Sequence, residues 1–140
     1  MQITRQAEYA IRTILELAKA EQNNKLISTK AISEQQRIPE VFLKKTIPLL
    51  SRAGLVSTKR GTEGGVCLAV PAAQITVADI IQAVEGRLTL NVCLNETCDC
   101  PNKPVCQVRL ILQRTQTAML AELSKKSIAA LLAGQGESIQ

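Results

Sequence analysis

The chain has no histidine and no tryptophan, and its only aromatic residues are Tyr9 and Phe42. Without imidazole, acid–base catalysis loses its usual proton carrier and a metal loses its commonest nitrogen ligand. Any metal must be held by thiolates, with carboxylate or amide oxygens completing the set. Hydrophobic residues make up 46% of the chain, so with so few aromatics the core must be built from Leu, Ile, Val and Ala, which favours closely packed helices. No apolar run approaches the ~20 residues that span a bilayer, and Met1-Gln-Ile-Thr-Arg5 has no apolar signal core. The expected compartment is the cytoplasm, where thiols stay reduced. There, clustered cysteines point to metal or redox sensing before disulfides.

What the chain does contain is a thiol cluster. Four of its five cysteines fall within fourteen residues, as Cys93-x4-Cys98-x-Cys100-x5-Cys106, among the turn-formers Asn95, Asp99, Pro101, Asn102 and Pro104. A stretch this rich in soft ligands and this poor in core-forming residues is better held by something inorganic than by its own packing. The paired Cys-x2-Cys knuckles of many zinc sites are missing. The bare pattern suits an iron–sulphur cluster and a four-thiolate zinc ion equally, with a metal-free thiol–disulfide switch as a third reading. Cys67, between Val66 and Leu68 on a β-favouring run, reads as a small buried hydrophobe.

Charge divides the chain in two. At 140 residues it fits one domain with an added oligomerisation element. Eleven of the 17 Lys and Arg but only six of the 12 Asp and Glu lie in residues 1–66, so the front half carries the whole net charge of +5. That asymmetry fits a front half that meets a polyanion.

The front half reads as three helices and a hairpin. Thr4 is positioned to cap a first helix with Ala7, Ala10, Ile11, Ile14, Leu15 and Ala18 on one face, ended by Asn23-Asn24. Ser28 caps a short second helix carrying Ala31 and Ile32 and stopping near Arg37. Pro39 suits the first turn of a third helix, with Glu40 at its positive end. This helix is expected to turn Val41, Leu43, Ile47 and Leu50 inward and to show Lys44, Lys45 and Arg52, with a kink at Pro48 and an end at Ala53-Gly54. Two short β-favouring runs over 55–70 then flank Thr62-Glu63-Gly64-Gly65, with Lys59 and Arg60 at the tip. A short helix, a longer helix with basic positions and a basic hairpin, in that order, form a helix-turn-helix (about 28–51) with a wing. A helix fits the major groove, and a narrow hairpin tip carrying Arg60 can enter the minor groove, where arginine is favoured by the negative potential.

After Cys106, Gln107–Leu123 has neither Gly nor Pro and contains Val108 and Leu110-Ile111-Leu112. Three consecutive apolar residues cover about 200° of a helix at 100° per residue, too much for one body to bury. The helix should therefore pack on its own domain and on a second copy of the chain. Ile128–Leu132 adds a short amphipathic piece, and 134–140 read as a disordered tail. A symmetric homodimer would place two recognition helices on one face of a palindrome.

These residues resemble a known family, the Rrf-type winged-helix regulators, the group that includes the iron–sulphur regulator IscR, the nitric-oxide sensor NsrR and the cysteine-metabolism repressor CymR. The match runs through Tyr9-Ala10, Ile38-Pro39, Phe42-Leu43, Ala53-Gly54-Leu55-Val56, Arg60-Gly61, Gly64-Gly65, Leu68-Ala69, Ile75 to Ile81, Val84-Glu85-Gly86 and the spaced cysteines, over roughly 1–123. Val66 departs from it, since the family usually has tyrosine there. The resemblance implies a mainly α fold: a winged helix-turn-helix domain (1–86), a cysteine-rich cluster loop (87–106) and a dimerisation helix with the amphipathic piece (107–133). It implies double-stranded DNA as partner, contacted through Ser28, Thr29, Pro39, Glu40, Val41, Lys44 and Lys45, with Lys59 and Arg60 on the wing. It also favours an iron–sulphur cluster, [2Fe–2S] or [4Fe–4S], over zinc. The ligands it implies are Cys93, Cys100 and Cys106, with Cys98 as substitute or fourth thiolate and Glu8 of the partner subunit as the acidic ligand some members use. Known members space their cysteines by five and five residues; here Cys100 and Cys106 keep that gap, but six residues separate Cys93 from Cys100. A small electron carrier or thiol enzyme is the competing class. It would leave the basic front half and its wing unexplained.

Overall fold

A computed structural model describes residues 2–134. Helix α1 (Arg5–Glu21) starts where the Thr4 hydroxyl accepts the Ala7 N–H at 3.1 Å. It presents Ala10, Ile14, Leu17 and Ala18 to the core and turns out of the helix through Asn24, whose φ of 50° is left-handed. Ser28 caps α2 (Thr29–Gln36) in the same way, and Arg37 ends it at φ 52°. The tight turn between the two helices is thus made by a residue other than glycine.

Helix α3 (Glu40–Arg52) differs from the sequence reading at two points. Pro39 is its N-cap, one position earlier than a first-turn residue. The helix contains Pro48 and ends where expected, with Ala53 as its C-cap. Val41 points outward and is 58% exposed. The inward face is Leu43, Thr46, Ile47 and Leu50; two residues before Leu43 means about 200° of rotation, so a helix that buries Leu43 must expose Val41. Thr46 is tolerated in the core because its hydroxyl donates to the Phe42 carbonyl at 2.7 Å. At the C-terminus Gly54 adopts φ 79°. Its N–H reaches the Ser51 carbonyl while the Leu55 N–H reaches the Leu50 carbonyl, a Schellman closure that a Cβ at Gly54 would strain.

Strands β1 (Val56–Lys59) and β2 (Gly65–Leu68) form an antiparallel pair, with Val56 opposite Leu68 and Lys59 opposite Gly65. Ile27 adds a third partner: its N–H and carbonyl both bond Val66, at 3.0 and 2.8 Å. This ties the base of the wing to the link between α1 and α2. Cys67 is half-buried, not enclosed, because it faces Ser57 on a two-stranded hairpin too small to cover both faces.

Helix α4 (Val77–Glu85) opens on a capping box between Thr76 and Asp79 and packs on α1 and α3. Helix α5 (Gln107–Leu123) matches the boundaries read from sequence, yet none of its residues is buried. Its main contacts with other elements are to α4 and to a short turn at Val92–Leu94. Helix α6 (Ile128–Ala133) returns to the front domain: Ile128 is fully buried, its N–H bonds the Ile75 carbonyl at 2.7 Å, and the helix rests on α1 and the turn at Ala72–Gln74. Gly134 caps it. The remainder of the expected tail lies outside the described residues. No helix among those residues is long and apolar enough to cross a membrane.

Candidate nucleic-acid interface and cysteine centre

The outward face of α3 carries Val41, Lys44, Lys45, Pro48 and Arg52, all exposed and falling at i, i+3, i+4, i+7 and i+11, opposite the buried row. Glu40 opens that face and Pro39 precedes it, both exposed; at the start of α2, Ser28 is exposed and Thr29 half-buried. Ser28 already spends its hydroxyl oxygen on the Ala31 N–H, which leaves its proton to donate elsewhere. Lys59 and Arg60 are exposed at the end of β1. The fold therefore exposes all the expected DNA-contact residues except half-buried Thr29.

The helix pair is braced from behind by side chains that sequence reasoning passed over. Arg12 of α1 bonds the backbone carbonyl of Gln36, at the C-terminus of α2. Its Nε also donates to Gln36 Oε1 at 3.3 Å, and its guanidinium lies 5.5 Å from the Tyr9 ring centre. The Gln36 amide in turn bonds Glu16. A cation at a helix C-terminus is favoured by the helix dipole. An Arg and a Gln on different helices gave no pattern to find in advance. Glu8 sits one turn before Arg12, with its side chain 54% exposed and 3.4 Å from the guanidinium.

The cysteine loop runs from Arg87 to the start of α5. Cys93, Cys98, Cys100 and Cys106 are all half-buried free thiols. Cys106 is itself the N-cap of α5, its sulfur accepting the Arg109 N–H at 3.3 Å, a role ordinarily taken by Ser, Thr, Asp or Asn. The Cys93 sulfur accepts from Asn91 Nδ2 at 3.3 Å. N–H bonds to sulfur are what tunes a metal-bound thiolate, so the donor set suits an iron–sulphur or zinc centre in its chemistry. It is not gathered into a cage, however: among the described residues no three Cys, Asp or Glu side chains lie close enough together to hold an ion. The loop is docked on α5 by the Arg109 side chain, which donates to the Cys93 carbonyl at 3.2 Å, and by Gln116, which accepts the Leu90 N–H at 2.9 Å.

A helix pair with an exposed basic face, backed by a paired-strand wing, defines a winged helix-turn-helix DNA-binding protein. The chain belongs to the Rrf2 family, iron-dependent transcriptional regulators, which matches residues 3–134. It is 32% identical over 138 residues to the HTH-type transcriptional regulator NsrR of Halalkalibacterium halodurans, covering 98% of this chain and 94% of that one. Among solved structures it resembles T. potens IscR, with a TM-score of 0.78 at 25% identity over 100% of this chain and 93% of the other. It also resembles CymR, the global cysteine regulator of B. subtilis, with a TM-score of 0.76 at 28% identity over 95% and 97%. The protein is a transcriptional regulator and not an enzyme.

Proposed function

We propose that this regulator binds a palindromic operator as a homodimer in the cytoplasm, and that an iron–sulphur cluster on its cysteine loop sets its affinity for DNA. The observation that carries the reading is continuity between cysteines and dimer helix. Cys106 caps α5, and the exposed Val108, Leu110 and Ile111 follow within its first two turns. A change in the loop is therefore a change at the base of the surface that would pair two copies. Cys93, Cys100 and Cys106 are the ligands, with Glu8 of the partner subunit or Cys98 as the fourth. Bound there, the cluster supplies a redox- and nitric-oxide-reactive centre that is lost when conditions turn against it. The chain's own part is to hold three thiolates on a loop whose ordering is coupled to metal binding, and to keep α3 and the wing at a spacing that ligation alters. By linkage, DNA affinity and cluster stability then change each other by the same factor.

Protein purified without air should be coloured, with iron and sulphide in cluster ratio, an EPR signal on reduction or oxidation, and a palindrome band-shift that differs between loaded and stripped forms. A colourless protein carrying stoichiometric zinc, or shifting DNA according to thiol oxidation alone, replaces the cluster with a zinc or thiol-switch regulator of the same fold. The likeness to CymR, a cysteine regulator, is what supports this second reading.

A further inference from the structure

Arg109 is bonded to both ends of the cysteine run. Its backbone N–H meets the Cys106 sulfur, and its Nε meets the Cys93 carbonyl. We propose that Arg109 is a positioning residue, a clamp that holds the first and last cysteines at the start of α5 before any metal arrives. The clamp's purpose rests on the reading of these cysteines as ligands, but its existence can be tested without metal.

Twelve residues separate Cys93 from Cys106, and none of them is buried. The hydrogen bonds they make with one another are short-range: turns such as Cys98 N–H to Asn95 and Lys103 N–H to Cys100, and Lys103 Nζ to the Cys98 carbonyl at 3.3 Å. Nothing in that stretch fixes the distance between its ends. A free loop pays an entropic cost to close that grows with the logarithm of its length, and a site whose ends are already held binds more tightly because that cost has been met in folding. Among the described residues, only Arg109 has hydrogen bonds to both terminal cysteines. The two bonds are also separable. Any residue at 109 supplies the backbone N–H to Cys106, but only a side chain with a donor at the right length reaches Cys93. Gln116, two turns further along the same face of α5, independently holds Leu90. Losing the Arg109 side chain would therefore free Cys93 without detaching the segment before it.

The test uses two substitutions that keep helix propensity high. Arg109→Met keeps the side chain as far as the position of Nε and removes the donor. Arg109→Gln places an amide N–H the same number of bonds from the backbone as Arg Nε, without the charge. In the metal-free full-length protein, the hydrogen-bonded amides of Leu94 and Asn95 should exchange about fivefold faster in Arg109→Met, the size expected for one lost side-chain hydrogen bond. Arg109→Gln should restore wild-type protection. After anaerobic reconstitution, loss of the cluster's visible absorption to a chelator should follow the same order, fastest in Arg109→Met. Equal amide exchange in wild type and Arg109→Met overturns the clamp whatever the metal content. Faster exchange in Arg109→Met with rescue in Arg109→Gln, in a protein that takes up no iron, supports the clamp and overturns the function proposed above. Failure of Arg109→Gln to rescue assigns the effect to charge and overturns the hydrogen-bond clamp.

Discussion

The chain's two aromatic rings meet: Tyr9 of α1 and Phe42 of α3 stand edge to face, with centroids 5.4 Å apart and planes at 64°. Arg12 lies over the same tyrosine and bonds the end of α2. One turn of α1 thus holds both helices of the DNA-binding pair, and Glu8 sits at its start.

Phe42→Ala should lower stability to urea by about 2 kcal/mol, less than a fully enclosed ring would cost because Phe42 is 38% exposed. The midpoint should fall with an unchanged denaturant slope. Phe42→Tyr, which keeps the ring pair, should stay close to wild type.

Gly65→Ala tests the tie at the base of the wing. A Cβ there would come within 2.8 Å of the Ile27 carbonyl oxygen, which is itself the acceptor for Val66 N–H. The bridge must open or the strand must shift, at a cost of roughly 1–3 kcal/mol. Loss of protection at the Val66 and Ile27 amides should accompany the lower melting temperature.

On DNA, Arg60→Ala should weaken specific operator binding by roughly 1–3 kcal/mol, whereas Lys59→Ala should mainly lower the salt slope by about one, the change expected when one phosphate contact is lost. Anisotropy titrations over a range of salt separate the two effects. Unchanged affinity in Arg60→Ala at every salt concentration removes the arginine from the groove. Val41→Ser, at an exposed position, should leave stability within about 0.5 kcal/mol while changing operator preference.

Glu8→Ala removes an exposed ion pair with Arg12, so folding stability should change by about 1 kcal/mol or less. If the carboxylate of Glu8 of the partner subunit ligates the cluster, the variant's visible spectrum should change and its cluster should decay faster. An identical spectrum and decay rate transfers the fourth position to Cys98.

Ile111→Glu places a charge in the centre of the unpaired stripe on α5, where Ile111 is 63% exposed. Light scattering should show monomer in place of dimer with helical content retained, because α5 has no buried residue whose packing the change could damage.

Most of the fold was legible in the chain itself. Thr4 and Ser28 are caps whose side chains have one local use, Gly54 supplies a left-handed residue where α3 must stop, and the Gly64-Gly65 turn with alternating flanks leaves little choice but a hairpin. These are decided within a few residues of backbone, so the sequence alone determines them. It also determines that any metal must be held by sulfur or oxygen, because no histidine is present. What the sequence could not settle depends on where elements meet. Val41 looked like a core residue by composition and became part of the exposed face once α3 was rotated to bury Leu43, Thr46, Ile47 and Leu50. Ile128 follows α5 in sequence but belongs to the front domain, because burying it against α1 and Ile75 removes apolar surface that α5 cannot cover. The hold of Arg12 on Gln36 and that of Arg109 on Cys93 span 24 and 16 residues. No local pattern encodes such pairs; only the packing of α1 on α2, and of the cysteine loop on α5, brings those donors to their carbonyls.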